Sequence, residues 1–456
     1  MIMVSRSPGT FTIVSLMLLL VVAVFSAVAI YPWLVDLLSE TGLKSAYAPS
    51  KMIVVESVNA IQGGFILYVR NVGGVPVIID RAYIESYASE SFEEVKLSQT
   101  VIKAGEVKTV AVPYDVELGK QYRIKLTTTA GSMFSLVYEV LEISSANWLL
   151  GWQYRRAITI DNTGGSSTLT DFQVKVILTT ANFDYSKANS DGSDIRFTDE
   201  DGKAKLSYWI KKWDPSGTSE IWVKVPNIPA SSTKTIYMYY GNSPAASESN
   251  GPATFEFYDD MESWSGWVKH GSGVVFQDTT RVYEGHYSAQ KDLYCDPNGA
   301  YKSIGKTLGR NVVLEAYINR NGSSVNCLCD RIGLIDNSGN GYGVVYCHSG
   351  SSYIGVDVRT NYSPVVQSKT YVSNYVDTWV FARLTIKSSG DVVSELYLSD
   401  GTFVGSSSCT NNTYSSFTNV YIFGGYNYWV DLMIVRKYAE PMPTTSLGSE
   451  ETPPWS

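Results

Sequence analysis

Histidine is scarce: the chain has three in 456 residues, in no cluster, which excludes nearly all His-rich zinc enzymes. Basic charge is also short, with 36 Lys+Arg against 44 Asp+Glu, a formal charge of −8 and a pI near 5.1. Nucleic acid as main partner is excluded on that ground, because phosphate binding needs basic patches. No Glu is followed two places later by Asp, so the carboxylate run of retaining glucanases is missing, and Glu315 stands alone as a surface or sheet-face residue. Gly-x-Ser-x-Gly and His-Glu-x-x-His are missing too, so no enzyme activity is expected. Asp199-Glu200-Asp201-Gly202 lacks the later ligands of a calcium loop and reads as a solvated turn. Cysteine is absent before residue 295.

One stretch lacks charge altogether. Thr10 to Val35 contains no Asp, Glu, Lys or Arg, and as a helix it would run about 39 Å, enough for a bilayer core of about 30 Å. Arg6 precedes it while Asp36 and Glu40 follow, so the N-terminus is expected inside and everything after Leu38 outside. A cleaved signal ending near Ala27-Val28-Ala29, a plain signal anchor and a pilin-type helix all fit the run. Ser5-Arg6-Ser7-Pro8 before the helix and Tyr31-Pro32-Trp33 at its end resemble archaeal type IV pilins. The resemblance implies a short basic leader (1–9) and a helix (10–45) that lies in membrane lipid before assembly and packs against copies of itself in a filament. No clear basic-Gly or basic-Ala cleavage pair is present.

What the chain does have is a β palette: 32 Tyr, 37 Gly and 16 Pro, with 44% apolar residues to fill cores. Its length suggests about three domains at roughly 150 residues each. The predicted fold class is mostly β, a pilin-like α-helix followed by three β-sandwich domains. Residues 51–145 alternate as short strands around Gly73-Gly74 and Ala104-Gly105-Glu106; with Arg70-Asn71-Val72-Gly73 and Tyr122-Arg123-Ile124-Lys125 they resemble the globular part of archaeal pilins. Residues 148–250, from Trp152-Gln153-Tyr154-Arg155-Arg156 to Tyr237-Met238-Tyr239-Tyr240-Gly241-Asn242, resemble an uncharacterised surface-protein domain found beside lectin-like domains. That family implies a β-sandwich and no established activity.

Residues 253–449 carry Phe257-Tyr258-Asp259-Asp260-Met261-Glu262, Trp379-Val380-Phe381-Ala382-Arg383-Leu384 and Val430-Asp431-Leu432-Met433-Ile434-Val435-Arg436. They resemble a concanavalin A-like lectin/glucanase jelly roll, related to laminin-G modules. Such domains often hold a structural Ca²⁺ tying the first strand to the last, and here its candidate ligands are Asp260 and Asp431; two carboxylates placed together repel unless a hard cation lies between them. Residues 450–456, rich in Pro, read as a disordered tail.

The five cysteines, Cys295, Cys327, Cys329, Cys347 and Cys409, are disulfide candidates with at least one left over. An extracytoplasmic compartment favours disulfides over a zinc set of Cys327, Cys329, Cys347 and His348. Asn321, Asn361 and Asn411 are glycosylation candidates. Of Trp209, Trp213, Trp222, Trp264, Trp267, Trp379 and Trp429, most are expected in cores and the rest as sugar platforms. Together these features predict a cell-surface protein: a pilin-like filament subunit or adhesin, or alternatively a single-pass anchored carbohydrate-binding protein that does not polymerise. Surface glycans are the expected external partner.

Overall fold

A computed structural model describes residues 52–454, apart from 87–90, 145–146, 273, 293–294, 323–328 and 349–350. The expected leader and hydrophobic helix (1–45) lie outside the described residues. Among the described residues no helix is long and apolar enough to cross a membrane. They fall into two compact units, divided near residue 146, and are mostly strand.

The first unit is a β-sandwich. β1 (Ile53–Ile61), β2 (Gly64–Asn71) and β5 (Val107–Pro113) form one sheet in the order β1-β2-β5. β3 (Val77–Ser86), β4 (Glu93–Ile102), β6 (Gln121–Thr128) and β7 (Met133–Glu139) form the other, ordered β4-β3-β6-β7. Alternation sends Leu67, Val69, Ile79, Ile84, Ile124 and Leu126 into one core. The turn after β2 is closed by Asn71, whose Nδ2 donates to Val75 O and Ile102 O while its Oδ1 accepts from Gly73 N.

The second unit holds two packed sandwiches. In the middle domain, β9 (Leu169–Thr179), β11 (Tyr208–Lys212) and β12 (Thr218–Ile228) make a sheet ordered β11-β12-β9. It faces β8 (Tyr154–Asp161), β10 (Arg196–Thr198) and β13 (Thr233–Tyr240), joined by β29 (Thr444–Glu451) in the order β10-β13-β8-β29. The expectation of a disordered tail from 450 is therefore corrected at its first two residues. Glu450 and Glu451 lie in β29, paired with Arg156 and Arg155 of β8. Leu447 packs on the core of Ile158, Val176 and Ile236. Pro441 and Pro443 precede the strand instead of ending the fold.

The third domain is a two-sheet sandwich of larger size. Its first sheet orders β16 (Val274–Asp278), β17 (Ser288–Asp292), β28 (Tyr428–Lys437), β19 (Val312–Arg320), β24 (Val380–Ile386), β25 (Asp391–Leu398) and β26 (Phe403–Thr410), with β14 (Phe257–Asp259) pairing β28. The second orders β15 (Trp267–His270), β18 (Gly299–Leu308), β27 (Phe417–Gly424), β20 (Cys329–Ile335), β21 (Gly341–Cys347), β22 (Tyr353–Thr360) and β23 (Ser363–Tyr371). Leu314, Ile318, Ile332, Val344, Val356 and Ile422 fill the space between them.

Cys329 and Cys347 sit opposite each other on β20 and β21 and form a disulfide, which removes the zinc alternative. Cys295 is disulfide-bonded as well, Cys409 is free, and Cys327 lies outside the described residues. Replacing Cys329 and Cys347 with Ala should cost about 3 kcal/mol for a closed loop of this length. An unchanged denaturant midpoint would show that the bridge adds nothing.

Candidate functional site

Alternation along the seven-stranded sheet has a chemical result. Ile332, Val344, Val356, Val358 and Ile422 point into the core, so Arg331, Asp357, Arg359, Tyr421 and Phe423 occupy the opposite, outer face. There Arg359 is fully buried, with Nε on Asp357 Oδ2 at 2.8 Å and Nη2 on Asp296 Oδ1 at 2.7 Å. Arg331 reaches Asp296 Oδ2 through Nη1 and approaches Asp357 Oδ1 with Nε at 3.5 Å. The Tyr421 hydroxyl donates to Asp357 Oδ2 at 3.1 Å. Asp296 comes from the segment between β17 and β18, so two arginines of the sheet close around a carboxylate supplied by a loop.

Rings frame the pair. The Arg359 guanidinium lies 4.7 Å over Tyr421 and 5.0 Å over Phe423. His270 stacks on Tyr362 at 3.9 Å, and Tyr301 lies 6.2 Å from Tyr362. Burial works against the Arg359 charge, but Asp357 and Asp296 more than offset it and hold the guanidinium protonated. Burial, with Arg359 nearby, lowers the His270 pKa and favours its neutral ring. Two guanidiniums and two carboxylates balance in charge, and the two arginines together form a fork that holds the Asp296 carboxylate by both oxygens beside flat rings. Arg331, Arg359 and Asp296 were not legible as a site in the sequence, because the pairing spans loops and strands far apart.

The residues singled out from sequence land as follows. Asp431, on β28, is fully buried; its Oδ2 accepts from Tyr283 N at 2.8 Å and Glu284 N at 3.2 Å, and its Oδ1 from Leu432 N at 2.8 Å. Asp260 follows directly on β14, the partner of β28, and its Oδ1 accepts from Glu262 N. The two strands are neighbours, as the jelly-roll resemblance implied. Both Asp431 oxygens face N–H donors, however, and among the described residues no group of three or more His, Cys, Asp or Glu side chains is placed to hold a metal ion.

Asn361 is exposed at the turn between β22 and β23, whereas the Asn411 Oδ1 accepts from the Tyr342 hydroxyl at 2.8 Å; Asn321 is half-buried. Asp199 and Glu200 hold Lys234 at 2.7 and 3.0 Å, and Asp201 accepts from the turn N–H groups of Lys203 and Ala204. Trp209 and Trp222 are buried where the middle and third domains meet, packed with Phe255, Tyr317, Leu432 and Ile434. Glu315, expected as a surface or sheet-face residue, is on that sheet face but buried and not at the surface, paired with Arg383 and Arg436 at 2.9 Å each.

Comparison with known proteins gives partial matches. The family described as a domain of unknown function, DUF2341, matches residues 191–269. An uncharacterized protein of Methanocaldococcus jannaschii is 34% identical over 189 residues, which are 41% of this chain and 19% of that protein. The chain thus spans about a fifth of the length of that curated relative. Among solved structures, a Trichoderma reesei endo-β-1,4-glucuronan lyase is 13% identical with a TM-score of 0.29, covering 42% of this chain and 98% of its own. A galectin-like protein of unknown function from Bacillus subtilis is 10% identical with a TM-score of 0.30 (40% and 96%), and a xylan-binding domain from Paenibacillus barcinonensis is 15% identical with a TM-score of 0.23 (41% and 95%).

Proposed function

We propose that this chain is a cell-surface protein whose third domain binds acidic glycans. The observation that carries this reading is the Arg331–Arg359 fork, which already grips a carboxylate, that of Asp296, beside the rings of His270 and Tyr362. A uronic acid offers the same carboxylate on a ring that can lie against an aromatic face. The disulfide of β20 and β21 suits a domain that works outside the cytoplasm.

Presentation on the surface is the task assigned to the apolar run, Thr10 to Val35. In the first form of the proposal it packs with copies of itself into a pilin-like filament, and in the second it anchors a single, non-polymerising protein. A processed N-terminus between Arg6 and Thr10 together with regular fibres by electron microscopy supports the filament. Intact Met1 in membrane-extracted protein supports the anchor.

The glycan half is tested by titrating tetragalacturonate into the wild type and Asp296→Asn. Freed of its internal competitor, the variant is expected to bind about ten-fold more tightly, and Arg331→Met added to it should abolish the gain. No heat from either protein at about 1 mM ligand would reject the reading.

A further inference from the structure

The middle and third domains meet along two sheet faces, and between them runs an open groove of about 290 Å³. One wall belongs to the middle domain: Lys175 of β9, Lys211 of β11, Glu220 and Trp222 of β12. The other belongs to the third: Glu315 and Tyr317 of β19, Phe381 and Arg383 of β24, Tyr397 of β25, with the hairpin tip at Ser399, Asp400 and Gly401 as the rim. Neither domain forms the groove by itself.

Its chemistry is balanced. Glu315 at the floor is buried, which pushes its pKa up, but Arg436, Arg383 and Lys211 more than offset this and keep the carboxylate ionised. Arg383 holds Glu315 at 2.9 Å and Glu395 at 3.5 Å. Glu220 collects Lys175 at 3.3 Å, Lys211 at 3.5 Å and the Trp222 indole N–H at 3.0 Å. Every cation of the walls therefore contacts a carboxylate, the two lysines sharing Glu220 while Arg383 shares Glu315 with Arg436 and has Glu395 beside it. An ionic ligand would have to compete with the carboxylate or cation already in place in one of these partly exposed pairs. Neighbouring hydroxyls would not: each donates to a carboxylate and accepts from a guanidinium or ammonium. Phe381 and Tyr397, half-buried with centroids 6.1 Å apart, add apolar ring surface to the same wall.

We propose that this groove is a second binding site, distinct from the sheet face, for uncharged sugar units. Its volume, at the low end of those that hold small ligands, admits about one or two pyranose rings. It stands on geometry separate from the Arg331–Arg359 fork, and so survives the failure of the acidic-glycan reading.

The test is calorimetric titration of the full chain with cellotetraose, mannotetraose and xylotetraose, with tetragalacturonate and the chitosan tetramer as charged controls. At least one neutral tetrasaccharide is expected to bind. Tyr397→Ala and Lys211→Met should each weaken it about ten-fold or more, with melting temperatures close to wild type. Asp296→Asn should leave neutral binding unchanged, which separates this site from the sheet face. Should Tyr397→Ala fold poorly, Lys211→Met alone decides, since its stem can pack as the lysine's does. The proposal is overturned if no neutral tetrasaccharide binds, if binding is indifferent to Lys211→Met, or if Lys211→Met instead abolishes binding of a charged control.

Discussion

Ending the chain after Pro443 is expected to unfold the middle domain while leaving the third domain's two sheets able to form. The removed strand, β29, is the partner of β8 along Asp161 to Arg155. With it go Leu447 from the core, the Arg155–Glu451 pair at 2.8 Å, the Tyr240–Glu450 hydrogen bond at 2.8 Å and the bond from Arg156 Nε to Gly448 O. The Arg155–Glu451 pair, buried at one end and over a third exposed at the other, contributes about 1 kcal/mol, and the lost ladder and the core contact of Leu447 bring the total to several kcal/mol. That is a large part of the 5–15 kcal/mol by which domains are ordinarily stable. The expected signature is a lost or strongly lowered calorimetric transition, restored by a peptide spanning residues 440–454 added in trans. A truncated protein melting within about 2 °C of the full chain would show β29 to be ornamental.

The second large effect is a pH dependence centred on Asp431. Burial, chiefly, raises its pKa to about 7; three backbone N–H donors pull the other way, and the Glu284 carboxylate adds to the rise. A carboxyl whose folded pKa lies above its unfolded value near 3.9 favours the folded state while protonated. Its contribution is complete below about pH 4 and is lost as pH rises through about 7. In chelator-treated protein, stability should therefore fall by roughly 2–3 kcal/mol between pH 5 and pH 8, or about 5–10 °C in melting temperature. Asp431→Asn should flatten that slope while lowering the whole curve, because the amide NH₂ would face N–H donors. A wild-type profile flat over that range would refute it. The same samples test the proposal of Ca²⁺ at Asp260 and Asp431: added Ca²⁺ should raise the pH 8 melting temperature of wild type and not of Asp431→Asn.

Much of the architecture was readable from the chain. Val107–Pro113 and Gln121–Thr128 alternate regularly and are strands, and Gly64–Asn71, apolar without alternation at its start, is a strand buried at its first four positions. β29 was not, because Thr-Thr-Ser-Leu-Gly-Ser-Glu-Glu holds a single large apolar residue between prolines. Its extended form comes from β8, not from its own propensity. Glu315 stands alone on its strand in the sequence, which by itself does not show that Val312–Arg320 is covered on both faces. That strand is buried at every position, because the middle domain covers the outer face. A signal was present: Trp209 and Trp222 are cross-strand partners in a sheet whose other face already fills a core. Aromatics on both faces of one sheet announce a neighbour. The Arg331–Arg359 fork had no such signal, since its carboxylate, Asp296, lies in a connecting segment.

The return of β29 also sets a timetable. Arg156 and its partner Gly448 are 292 residues apart, so at roughly 5–20 residues per second the ribosome supplies β29 about 15–60 s after β8. Throughout that interval β8 is an open edge, with unpaired N–H and C=O groups on a sheet whose core is short of a residue. The third domain, encoded between them, must be made, and in an exported protein carried across the membrane, before the middle one can close. An interrupted translation product therefore always presents an unfinished edge, the kind of surface that chaperones and proteases recognise. The final strand works as a proof of completeness.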